Sequence, residues 1–131
     1  MIPKYRMWNR ITSKLHRVDG LYFDNKEVQY IDEVGILRFI KFENTILMQS
    51  TGLKDKNGKE IFEGDVVRMR NPRDRRQIGK FQVVRVANSP MLGLLDKKLT
   101  TEIFNLYEHM RNYYEIAGNI YENPKLLEEE E

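Results

Sequence analysis

The sequence predicts a mainly β fold, a barrel or sandwich of short strands carrying one late helix. Three observations predict it. Short runs rich in β-branched and aromatic residues recur through residues 21–87, separated by turn dipeptides. Asn57-Gly58, in which both residues tolerate positive φ, is a strong hairpin signal. After Pro90 the apolar spacing changes to the three-and-four pattern of a helix.

Residues 1–20 are polar and basic, with aromatics at Tyr5 and Trp8, and end in the turn dipeptide Asp19-Gly20. Strand-like runs follow at Leu21-Tyr22-Phe23, Val28 to Ile31, Ile36 to Phe42 and Thr45 to Met48, with Asp24-Asn25, Gly35 and Glu43-Asn44 as turns. Asn57-Gly58 and Glu63-Gly64-Asp65 make two further turns before strands at Val66 to Met69 and Phe81 to Ala87, which flank a loop at Asn71 to Gln77. Leu99, Ile103, Leu106, Met110 and Tyr113 line one face of an amphipathic helix near 97–112, with Asp96 as its cap. Phe104 and Tyr107 widen its apolar arc, which suits burial against the strands or against a second subunit. A last strand runs from Tyr114 to Tyr121 through Gly118, and Asn123-Pro124 ends it. Residues 1–127 read as one domain and 128–131 as a frayed acidic tail.

Composition narrows the function classes. The 131 residues are 40% hydrophobic and 32% charged, enough apolar content for a core and too much for a disordered tail. There is no cysteine, which excludes disulfides and thiolate chemistry. The N-terminal MIPKYRMWNRITSKLHRV lacks the apolar region of a signal peptide, and no stretch approaches the ~20 apolar residues of a membrane span. A cytoplasmic location, with no membrane contact, is the expectation.

Catalytic and metal signatures are missing. His16 and His109 are far apart and carry no ligand spacing, and Ser13, Ser50 and Ser89 lie in no nucleophile elbow. Asp55-Lys56-Asn57-Gly58 places its glycine at the fourth position, where an EF-hand needs it at the sixth. Glu60, Glu63 and Asp65 offer paired carboxylates, although carboxylates are common beside turns. No enzyme activity, metal or cofactor is expected.

What remains is charge segregation. Arg68, Arg70, Arg73, Arg75, Arg76 and Lys80 stand against the single acid Asp74, a local balance of +5. Lys4, Arg6, Arg10, Lys14 and Arg17 give another +5 in residues 1–17. The net +2 of the chain is therefore a cancellation, to which the run Glu128 to Glu131 contributes. An arginine-rich loop between two strands suits a nucleic-acid backbone, because the guanidinium fork pairs bidentately with phosphate. Tyr5, Trp8 and Phe81 are the aromatics near enough in sequence to stack on bases. The alternative is a protein-interaction or self-assembly module, binding another protein or a second copy, whose basic loop pairs with acids.

Three blocks carry a family resemblance. They are Lys4-Tyr5-Arg6-Met7-Trp8-Asn9, the long TGLKDKNGKEIFEGDVV of residues 51–67 with the preceding Leu47-Met48-Gln49-Ser50, and Tyr114-Glu115-Ile116-Ala117-Gly118-Asn119-Ile120-Tyr121-Glu122-Asn123-Pro124-Lys125-Leu126-Leu127. In this order they resemble the YopX family, small proteins of Gram-positive bacteria and their phages and prophages. Ser50 departs from the family, which more often has an aromatic there, and the loop 70–77 lies in a variable region. The resemblance implies a mostly β fold related to small SH3-like barrels, with additional N-terminal strands, encoded in a phage or prophage gene set. It implies no activity and carries over no catalytic residues. Within the central block Gly52, Gly58 and Gly64 occupy positions suited to permissive backbone, and Asp55 and Asp65 suit turn-capping hydrogen bonds.

Overall fold

A computed structural model describes residues 4–70, 77–85, 92–95, 103–105 and 112–126. The chain forms two compact units, Met1–Ser50 and Thr51–Glu131.

In the first unit, β1 (Tyr5–Asn9) turns into β2 (Lys14–Tyr22) through a turn organised by Asn9. Its buried Oδ1 accepts the N–H groups of Ile11 at 2.9 Å and Thr12 at 3.2 Å. An Asn side chain can thus replace backbone acceptors that a tight turn lacks. β3 (Glu27–Ile31) and β4 (Leu37–Lys41) make a second hairpin, and β5 (Thr45–Lys54) begins in this unit along β1. All neighbours are antiparallel, in the order β4-β3-β2-β1-β5. The strand period of two puts Val28, Tyr30 and Ile40 on one face, where they pack with Met7, Val18, Leu21, Phe42 and Leu47. Asp19-Gly20, expected as a turn, lies inside β2, where the pairing with β3 slips between Val18 and Gly20. A turn dipeptide here serves as a bulge that bends a strand rather than ending it.

In the second unit, the end of β5 is hydrogen-bonded to β6 (Glu60–Phe62) across the Asn57-Gly58 turn, with Gly58 at φ 80°. Then come β7 (Asp65–Arg70), β8 (Gln77–Arg85), β9 (Leu92–Leu95), β10 (Ile103–Asn105) and β11 (Tyr114–Asn119). The last five form an antiparallel sheet in the order β10-β9-β8-β7-β11. Its core is Ile61, Val67, Phe81, Val83, Leu94 and Tyr114, with Met69, Leu92 and Ile116 at its margin.

The fold is mainly β, as expected, and two of the finer expectations do not hold among the described residues. Among the described residues both sheets keep open edges and no closed barrel is found. Within the span 97–112, Ile103–Asn105 is a strand paired to β9, with Phe104 opposite Leu94, and Asn112 and Tyr113 sit in a 3-10 turn. The rest of that span lies outside the described residues. The edge of β9 offers Ile103–Asn105 a ladder of backbone partners, and such tertiary pairing overrides an apolar periodicity of marginal helix propensity.

Candidate interaction surface

The central block of the sequence is occupied with its own backbone. Asp55 is fully buried, and its Oδ1 accepts the N–H groups of Asn57 and Lys59, each at 2.9 Å. Its Oδ2 reaches across to the N–H of Ile116 on β11 at 3.0 Å. Asp65, also buried, accepts the Phe62 N–H at 2.8 Å. Asn119 caps the final turn, accepting from Tyr121 and Glu122 at 3.0 and 2.8 Å. These carboxylates and amides replace backbone acceptors, which is the turn chemistry expected of Asp55 and Asp65. Of the acids weighed as a catalytic set, Glu63 pairs with Arg85 at 3.5 Å and Asp65 is committed to the turn. Among the described residues no cluster of three or more His, Asp or Glu side chains is placed to hold a metal ion. His16 packs its ring on Tyr30 at 4.6 Å, and His109 lies outside the described residues.

The basic loop is described only at its base. Arg68 on β7 lies opposite Lys80 on β8 and Glu115 on β11, one row on the face away from the core. Glu115 pairs with Lys56 at 3.1 Å and with Arg68 at 3.7 Å. The Lys80 ammonium donates to the Leu126 carbonyl at 3.2 Å. Both described members of the expected phosphate-binding set therefore have protein partners. Arg70 ends β7, but its side chain lies outside the described residues, as do Arg73, Arg75 and Arg76 entirely. Phe81 is not available for stacking: it is 7% exposed within the core of the second unit. The N-terminal cations are dispersed, with Lys14 on Glu33 at 2.6 Å and Arg10 on the Glu43 carbonyl at 3.4 Å.

A different surface stands out. Among the described residues the exposed large apolar side chains are Ile11, Tyr22, Phe23, Ile31, Val34, Ile36, Leu37 and Phe39, all in the first unit. Register places Leu37 opposite Ile31 and Phe39 opposite Gln29, on the face that does not carry Val28 and Ile40. Tyr22 packs against Phe39 with ring centroids 5.9 Å apart and donates its hydroxyl to Gln29. The patch therefore runs from Tyr22 through Phe39 and Leu37 to Ile31.

One ion pair, Lys41 with Glu27, borders it on the same face, and others brace the adjoining turn. The Arg38 guanidinium beside Asp32, helped by the Ile36 and Val34 N–H groups, holds that carboxyl below the usual carboxylate range. Arg38 is raised in turn, by its hydrogen bond to Asp32. Hydrogen bonding to Lys14 likewise lowers Glu33, and Lys14 is raised by the same contact. Lys41 lies 3.8 Å from Glu27. An apolar centre with a charged margin is the anatomy of a protein interface.

Sequence reading missed this surface because it treats apolar strand residues as core. The available signal was in Ile36 to Phe42, where residues on both faces are apolar; such a strand needs a cover on both sides.

An all-antiparallel fold whose buried polar residues brace turns, and whose exposed apolar side chains gather on one sheet, defines a small β-sheet module. The chain belongs to the YopX protein family, whose model matches residues 4–128. Among solved structures it is similar to protein EF1440 from Enterococcus faecalis. The two are 27% identical with a TM-score of 0.63, over 97% of this chain and 99% of that one. A search of curated proteins finds no match.

Proposed function

We propose that this chain is a non-catalytic binding module that docks a protein partner through the outer face of β2–β4. One observation carries the reading: Tyr22, Ile31, Leu37 and Phe39, each 45–53% exposed, share one face of a sheet. Contiguous apolar surface of this kind costs solvation free energy on an isolated molecule and marks an interaction site. No helix among the described residues is long and apolar enough to cross a membrane. Family membership supports placing the module in a phage or prophage gene set, acting in the host cytoplasm. The test is capture from host extract on the immobilised full chain, with wild type compared against the double variant Tyr22→Glu, Phe39→Glu. A protein retained by wild type and lost by the variant supports the reading. Equal capture by both overturns it.

A second reading, nucleic-acid contact through the arginine-rich loop, is favoured by the position of Arg68 and Lys80, which face each other across β7 and β8 at its base. Were all six cations to neutralise phosphates, duplex affinity would fall with salt at a log–log slope of roughly −5. Fluorescence anisotropy with random duplex and single strands decides it. Binding unchanged by Arg73→Ala, Arg75→Ala and Arg76→Ala, or absent at low salt, sinks this reading.

A further inference from the structure

The β3–β4 hairpin fixes which backbone groups of β4 remain open. At one end Phe42 N–H donates to the Lys26 carbonyl at 2.8 Å, and at the other Asp32 N–H donates to the Ile36 carbonyl at 2.9 Å. Both pairs fall on the register that sets Glu27 opposite Lys41 and Ile31 opposite Leu37. Hydrogen-bonded and non-bonded pairs alternate along an antiparallel ladder. Val28–Ile40 and Tyr30–Arg38 are therefore the bonded pairs. Leu37, Phe39 and Lys41 turn their N–H and C=O groups away from β3.

That direction is the open edge, because β4 ends the strand order among the described residues. The strand has no proline, and its register with β3 is unbroken. It thus lacks two of the devices that blunt an edge. An alternating row of outward donors and acceptors is satisfied most fully by another extended strand.

We infer that β4 pairs antiparallel with β4 of a second copy of this chain, about a two-fold axis at Phe39; this rests on the protein-binding reading above. Charge excludes two of the other registers. An axis at Arg38 would face two arginines, and an axis at Lys41 two lysines, like pairs that are unfavourable directly across a ladder. An axis at Ile40 would leave Leu37 outside the pairing. With the axis at Phe39, each Phe39 meets the partner's Phe39 and each Leu37 meets the partner's Lys41. Arg38, already held by Asp32, meets the partner's Ile40. The Leu37 and Phe39 side chains of both copies then form one apolar strip continuous with Tyr22 and Ile31.

Area sets the strength. Pairing in the plane of the sheet covers the flanks of Leu37 and Phe39 on β4 and leaves Tyr22 and Ile31, on inner strands, in solvent, so the apolar surface buried is at most about 200 Å² per copy. A standard interface buries about 800 Å² per partner, so the dimer belongs to the weak, concentration-dependent class.

Sedimentation velocity of the full chain from about 1 to about 300 μM tests this. The expected result is a monomer–dimer equilibrium. Phe39→Pro removes an N–H that points to the open edge, where proline is tolerated, and should weaken association at least tenfold. Phe39→Lys, which keeps the backbone and opposes two cations at the axis, should do the same. In the wild type, amide exchange at Leu37, Phe39 and Lys41 should slow as concentration rises, while Arg38 and Ile40 are slow throughout. A monomer at every concentration overturns the inference, as does association that neither variant weakens. If the chain is monomeric but Tyr22→Glu, Phe39→Glu still abolishes capture of a host protein, the dimer fails and the interaction surface stands.

Discussion

Replacing Asp55 should cost the second unit about 2.5–5 kcal/mol as Asp55→Ala and about 1.5–3 kcal/mol as Asp55→Asn. The carboxylate is wholly buried and accepts three backbone N–H groups, from Asn57, Lys59 and Ile116. Hydrogen bonds to a charged group contribute about 1.5–3 kcal/mol each while a solvent alternative is missing. Asn57 and Lys59 are in exposed positions, so water takes over there and each loss is nearer 0.5–1 kcal/mol. Ile116 is on β11 beside its bulge and only partly exposed, so its N–H bears most of the penalty. The Asn variant keeps the two loop bonds and turns an amide N–H₂ toward the Ile116 N–H, so one bond is lost. With urea slopes of about 1–3 kcal/mol per M, Asp55→Ala should lower the unfolding midpoint by about 1 M or more. Amide exchange at Ile116 should accelerate in both variants. A loss below about 1 kcal/mol for Asp55→Ala, or an unchanged Ile116 amide, would refute the view that this aspartate ties the β5–β6 turn to β11.

Gly118→Ala should destabilise by about 1–3 kcal/mol, measured by thermal melting, because a Cβ there would sit 2.3 Å from Asn123 Oδ1 and 2.7 Å from Leu126 Cδ1. Asn123 Oδ1 accepts the Asn119 N–H, so moving it also loosens the final turn. Glu115→Gln should change stability by about 1 kcal/mol in urea titration, since its ion pairs to Lys56 and Arg68 are partly solvated. Asp32 is held below its ordinary value of 3.8, chiefly by Arg38. Its stabilisation of the β3–β4 hairpin is therefore present above that value and lost as pH falls through the lowered one. Asp32→Asn should remove that part of the acid sensitivity, followed by amide exchange at Val34 and Ile36. Lys14 has the opposite sign: its contribution is complete below 10.5 and lost as pH rises through the raised value.

Legibility followed the range of the interaction. The Asn57-Gly58 turn, the capping by Asp55 and Asp65 and the strands from Val28 to Met48 rest on neighbours a few residues apart, and local chemistry reveals them. The reach of Asp55 to Ile116 and the seating of Arg68 on Glu115 depend on which strands become neighbours, information no spacing rule holds. Ile103–Asn105 failed for a related reason: its apolar spacing fits a helix until the edge of β9 supplies a partner. Phe81 and Phe39 show the limit for a candidate site. Both are aromatics in strand-like runs, yet one is buried in the core and the other half exposed on an outer face.

Photo-crosslinking in host cells measures the central claim directly. A photoreactive phenylalanine analogue is placed at Phe39 in one experiment and at Arg75 in another, each in the full chain. Position 39 should give discrete adducts with host proteins that Tyr22→Glu abolishes, and a crosslinked dimer of this chain besides. Adducts with nucleic acid from position 75, together with none from position 39, would contradict the assignment of the first unit's outer face as the binding surface.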